Sequence, residues 1–174
     1  GIDRSKIFEL GDYIEDDVIE AHKFIDYSNK KDFILYNPKK GYEFTQKIIL
    51  HNPQYDWIPL INMSKKEIIR NLLDSKLYID FGTHPGKDRF PREAVLCGCC
   101  VITGLKGSAA NSVDIPIPSK YKFEDNIKCL DDISMAISDI ISNYSERIKD
   151  FENYCIRVLH EKEKFRKEVE EYFG

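Results

Sequence analysis

The stretch YIDFGTHPGKDRFPREAVLCGCCVITG, Tyr78 to Gly104, decides how this 174-residue chain is read. Two apolar ends flank a polar turn and a short helical segment. KLYIDF (Lys76 to Phe81) predicts a buried strand, Pro91 to Cys97 a short helix that Gly98 terminates, and CCVIT (Cys99 to Thr103) a second strand. The helix returns the chain to the end where the first strand began, so the two strands run parallel.

The same alternation extends towards the amino terminus. DFILY (Asp32 to Tyr36) predicts a buried strand and YEFTQKIILH (Tyr42 to His51) the helix after it. DWIPLI (Asp56 to Ile61) is the next strand, and its Pro59, which lacks a ladder donor, assigns it to an edge or an irregularity. SKKEIIRNLL opens with Ser64 and, three residues later, Glu67, the pattern of a capping box, with Ile68, Ile69, Leu72 and Leu73 as its apolar face. Before the first strand, EDDVIEAHKFIDYS predicts a helix.

Beyond Thr103, VDIPIPSKYKF is a proline-punctuated connection and NIKCL (Asn126 to Leu130) a last short strand. Asp131 or Asp132 caps a helix whose inner face is Ile133, Ala136, Ile137, Ile140 and Ile141. A long charged helix follows, with Phe151, Cys155, Val158 and Leu159 as its stripe. Strand and helix alternating over four rounds imply an α/β fold, a parallel sheet with helices on both faces. The expected organisation is an amino-terminal linker and helix over 1–30, the α/β domain over 31–144 and a closing helix over 145–174.

Composition narrows the function classes. A net charge of -4 argues against non-specific nucleic-acid binding, which needs a basic surface. No run reaches the eighteen or more apolar residues of a membrane span, and GIDRSKIFELGDYIEDD is too acidic for a signal or transit peptide, so a cytoplasmic protein is expected. Five cysteines without secretory marks make a disulfide framework unexpected. The C-x-x-C of Cys97 and Cys100 ends a helix where redox motifs begin one, which leaves these thiols as small core residues.

Parallel sheets bind ligands at the carboxyl ends of their strands, and four polar loops fall on that rim: Asn37 to Gly41, Asn62 to Ser64, Gly82 to Arg92 and Gly104 to Ser108. Gly82, Gly86, Gly104 and Gly107 allow backbone amides to approach a ligand. The helix start near Pro91 offers unpaired N–H groups, and Lys87, Arg89, Arg92, Lys39, Lys40 and Lys106 add charge, a set suited to a phosphate or pyrophosphate. Glu93 has two readings: a carboxylate favoured by the helix dipole, or an acceptor for ribose hydroxyls. No Asp-rich metal cluster stands out.

The segment SKLYIDFGTHPGKDRFPREAVLCGCCVITG resembles the donor-binding motif of GT-B glycosyltransferases, where a glycine-containing loop precedes a helix of the form Glu-Ala-x-x-x-Gly. Here the matching residues are Gly86, then Glu93, Ala94 and Gly98, then Cys100, Val101 and Ile102. YNPKKGYEF resembles the Lys-Gly segment after the first strand of the carboxyl-terminal domain, and the likeness spans Phe33 to Ser108. The resemblance, to the group 1 or family 4-like retaining enzymes, implies one Rossmann-like half of a GT-B fold that binds a nucleotide-diphosphate sugar. It implies Glu93 on the ribose and Lys40 as a cation near the diphosphate, with no metal in that role; Lys87 and Arg89 of the basic turn join Lys40 as the candidate cations that stabilise the leaving diphosphate. Gly82, Gly86, Gly107 and Ser108 would approach the phosphates, and Asn62 and Met63 the base. Many retaining members carry a second glutamate where this chain has Pro85, which leaves His84 or Asp88 as candidates for the sugar hydroxyls. A turn histidine without a ligand and an Asp88 paired to Arg89 or Arg92 are the structural alternatives. The chain has room for one such domain, so an amino-terminal acceptor domain is expected on a longer or separate polypeptide. A nucleotide- or sugar-phosphate-binding module that regulates a partner is the other reading. A receiver domain is disfavoured, because LYNPKK lacks the acidic pair after the first strand.

Overall fold

A computed structural model describes residues 10–174; the first nine residues of the expected amino-terminal linker lie outside the described residues. Four strands form one wholly parallel sheet: β1 (Lys31–Tyr36), β2 (Asp56–Pro59), β3 (Ser75–Asp80) and β4 (Cys100–Thr103), in the order β2-β1-β3-β4. The register pairs Tyr36 with Pro59 on one side and Ile79 on the other, and Asp80 with Thr103. Pro59 stands on an edge strand, where its missing donor costs nothing in the ladder.

The helices follow from this order. The crossovers are α2 (Tyr42–His51), α3 (Lys65–Asp74) and α4 (Arg89–Leu96). From β1 the chain steps outward to β2, then passes back across β1 to β3 and on to β4. Right-handed crossovers therefore place α2 on one face and α3 and α4 on the other. On the first face α2 packs with α5 (Leu130–Ser142). On the second, α4 packs with α1 (Asp16–Ala21) and with α7 (Glu152–Phe173), which follows the short α6 (Tyr144–Arg147). The result is a Rossmann-like three-layer α/β arrangement.

The capping box on α3 forms as its spacing predicts: the Ser64 hydroxyl accepts from the Glu67 amide and the Ser64 amide donates to Glu67. Ile133, Ile137, Ile140 and Ile141 are buried on α5, as their period requires. Three expectations need correction. NIKCL forms no strand but a single 3-10 turn, Ile127–Cys129, because an Asn126 side chain accepting from the Lys128 amide starts a helical entry instead. Asp131 and Asp132 lie inside the first turn of α5 rather than capping it. The amino-terminal helix stops at Ala21, and two 3-10 turns, His22–Phe24 and Tyr27–Asn29, lead into β1.

Cys97, Cys99 and Cys100 are buried free thiols, and burial pushes all three above the ordinary thiol value. They serve as core residues. Cys129 and Cys155 are also free and half-buried.

Candidate functional site

The strand order reverses direction between β1 and β3, and the loops leaving those strands meet there. Gly41 adopts φ 59°, and a Cβ on it would lie 2.3 Å from the carbonyl of Phe81. A Cβ on Gly82 would lie 2.6 Å from that of Lys40. The two loops are thus packed backbone to backbone, which no side chain at Gly41 would permit. The loop after β4 joins from the other side. Gly107, at φ 64°, forms a bridge with His84, and a Cβ there would stand 2.1 Å from the His84 carbonyl. The Ser108 amide donates to that carbonyl at 2.9 Å, and the Ser108 hydroxyl donates to Gly86.

At the centre is Asp80, the last residue of β3 and 2% exposed. Its Oδ1 accepts the Gly82 amide and its Oδ2 the Tyr78 hydroxyl, both at 2.8 Å. His84 Nε2 lies 3.3 Å from Oδ1. Burial opposes the carboxylate's charge, but the His84 ring, the Gly82 amide and the Tyr78 hydroxyl outweigh it and hold Asp80 below the ordinary carboxylate value. The same burial and the adjacent carboxylate push the Tyr78 hydroxyl well up, so it stays a donor.

Asp88 precedes α4 at φ 39° and ψ 146°, a region non-glycine residues rarely occupy and that costs about 1–3 kcal/mol. Three contacts hold it there: Lys40 Nζ on one carboxylate oxygen, the Arg89 amide on the other at 2.7 Å, and Arg92 Nε on its carbonyl at 3.0 Å. The start of α4 is therefore not wholly open. Its first amide is capped by Asp88, whose carboxylate forms its ion pair with Lys40 rather than with the guanidinium of Arg89 or Arg92.

The other expected residues divide into two further groups. Glu93 is 3% exposed, and its Oε1 stands 3.2 Å from Arg89 Nε. Burial raises Glu93 above the ordinary carboxylate value, while Arg89 and Lys65, the first residue of α3, pull it back. Lys87 faces Glu161 of α7 at 3.2 Å. Arg92, 4% exposed, grips Asp12 at 2.7 Å and Glu161 at 2.9 Å. Acids from the amino-terminal segment and α7 thus neutralise much of the basic turn, which the spacing of Lys87, Arg89 and Arg92 could not show. Asn62, at φ 54°, and Met63 occupy the loop after the edge strand, where the Met63 sulfur faces the Asn71 amide at 3.6 Å. Gly86 has open space around its Cα.

Two cavities lie near these groups. One of about 240 Å³, between the β3–α4 loop and α7, is lined by Lys87, Tyr154, Arg157, His160 and Lys164 among others. One of about 450 Å³ runs between His22, Tyr27, Ile148, Cys155 and Leu159 and touches none of the expected donor-site residues. The sequence reading missed Asp80 and Tyr78. A carboxylate ending an otherwise apolar strand was the signal available for the former. No protein-family model matches the chain, and no curated protein does either.

Proposed function

We propose that this chain is the donor-binding half of a GT-B-type glycosyltransferase, taking a nucleotide-diphosphate sugar at the β1/β3 switch point. The supporting observation is the meeting of the three loops that carry the resemblance. The Lys-Gly segment after β1, the glycine turn after β3 and the glycine turn after β4 contact one another through Gly41, Gly82 and Gly107. Glu93 fits the ribose role in being a buried carboxylate whose nearest cation, Arg89, is half-exposed and free to turn away.

In this reading Glu93 accepts hydrogen bonds from the ribose hydroxyls, and the Asn62–Met63 loop, next to Lys65 and α3, lies towards the base. Cleaving the bond from the anomeric carbon to the diphosphate builds negative charge on the leaving group. Lys40, Lys87 and Arg89 are the cations assigned to stabilise it, and each must loosen its present carboxylate partner to do so. That pairing also favours the second reading, a regulatory nucleotide-binding module without transfer.

Calorimetric titration with UDP, GDP, dTDP and CDP and their sugar conjugates tests the proposal. One nucleotide family is expected to bind, and Glu93→Ala to weaken it about tenfold or more through loss of a charged hydrogen bond. Absence of binding by the folded chain counts against the assignment. Restored transfer on adding an amino-terminal acceptor domain separates the half enzyme from the regulatory module.

A further inference from the structure

Asp80, His84 and Asp88 each offer one ligand atom, and these atoms lie within 4.8 Å of one another at the switch point. We infer that this cluster is a binding site for a divalent transition cation such as zinc, on grounds that do not use the nucleotide-sugar reading although the two share Lys40.

His84 is 1% exposed, yet among the described residues neither ring nitrogen has a hydrogen-bond partner. An imidazole so placed exchanges its hydration for one long contact with Asp80, which compensates it poorly unless something else meets it. Its Nε2 stands 3.3 Å from Asp80 Oδ1, longer than a charge-assisted hydrogen bond and outside hydrogen-bond geometry. Ligand atoms about 2.0–2.1 Å from a tetrahedral zinc are themselves about 3.3–3.4 Å apart, so this spacing is that of two atoms sharing one cation. The Thr103 hydroxyl, on the residue paired with Asp80 in the β3–β4 ladder, is likewise buried and unpartnered.

The surroundings suit a metal. Asp80 is held by the Tyr78 hydroxyl and the Gly82 amide, which fix its carboxylate before any ion arrives. One imidazole and two carboxylates form a nitrogen and oxygen set that suits zinc, cobalt or manganese, and their two negative charges balance the ion. Asp80 and His84 make the buried floor, with side chains 1% and 0% exposed. Asp88 and Lys40, 9% and 36% exposed, make the side open to solvent. Lys40 already supplies Asp88 with a positive charge. The incoming ion exchanges for that ammonium and frees Lys40 to swing towards the rim.

The decisive experiment is titration of the metal-stripped chain, without nucleotide, using Co²⁺ followed by visible d–d bands and Zn²⁺ followed by displacement of cobalt. Stoichiometric binding is expected with bands of a low-coordinate nitrogen and oxygen site. His84→Gln and Asp88→Asn each remove a ligand atom and weaken binding by at least about 10- to 100-fold, the loss that follows when only the support of a ligand is removed. Lys40→Met moves the other way and tightens it, because the competing ammonium is gone. Bands that are absent, or that persist unchanged in folded His84→Gln, overturn the inference. Bands that persist would come from another site such as His51 with Asp131, which lie 2.9 Å apart on the surface. Should His84→Gln fail to fold, the opposite shifts of Asp88→Asn and Lys40→Met, both on the solvent side, decide the matter.

Discussion

Glu93 is a buried carboxylate whose charged form the fold disfavours. Its raised pKa means that the folded chain binds this proton more tightly than the unfolded chain does. Its contribution is thus most favourable below the ordinary carboxylate value and is lost as pH rises through the raised one. Glu93→Gln removes that buried charge, and Arg89, already half-exposed, returns to water at little cost. The variant is expected to melt no lower than the native chain at neutral pH. The difference should grow in its favour from about pH 4 upward, the ordinary carboxylate range. Thermal melts across pH read this, and a native chain that outlasts the variant at neutral pH would place the carboxylate in a purely structural pair. Asp80 has the opposite sign: its lowered pKa gives stability above the ordinary value that is lost as pH falls through the folded one. Glu93 was legible in the sequence because the Glu-Ala-x-x-x-Gly pattern is local. Asp80 was not, since its meaning comes from Tyr78, Gly82 and His84 converging around it.

At the scale of elements, α7 and the amino-terminal segment act as a clasp on α4. Arg92 is buried and donates to Asp12 and Glu161 while its Nε supports the strained Asp88 carbonyl. Arg92→Met leaves Glu161 with Lys87 as its one ion-pair partner among the described residues and withdraws a prop from the β3–α4 loop. Breaking a buried pair of this kind costs about 3–5 kcal/mol, somewhat less here because Asp12 is largely exposed and re-solvates. Urea denaturation should show the loss, and an unchanged midpoint would show the clasp to be ornamental. A second hidden device is Lys30, 7% exposed, whose ammonium satisfies the carbonyls of Leu72, Ser75 and Cys97 where α3 and α4 end. Helix caps built from adjacent residues, such as Ser64 with Glu67, are visible in a sequence. Those supplied from forty or more residues away are not.

Across the whole molecule, one hydrophobic cluster runs from Ile14 and Val18 of the amino-terminal segment through the sheet to Phe151 and Val158. The segments expected as a linker and a closing helix share the core of the α/β domain. The chain should therefore unfold in a single cooperative transition, with fluorescence of Trp57 and far-ultraviolet circular dichroism coinciding. Separate transitions would mark α7 or the amino-terminal segment as an independent unit. Among the described residues no helix is long and apolar enough to cross a membrane.

By itself the sequence determined the alternation of the four strands with their crossover helices, the parallel sheet and the rim on which the polar loops gather, and it narrowed Pro59 to an edge or an irregularity, of which the sheet order selected the edge. Those features rest on periodicity, on turn chemistry and on the handedness of crossovers, all of which act over short distances along the chain. Tertiary structure alone decided which charges remain available. Lys40 meets Asp88, Lys87 meets Glu161 and Arg92 meets Asp12, across separations from 48 to 80 residues. It also gathered Asp80, His84 and Asp88 into one cluster, because a loop pressed between Gly41 and Gly107 has its side-chain directions set by neighbouring loops rather than by its own residues.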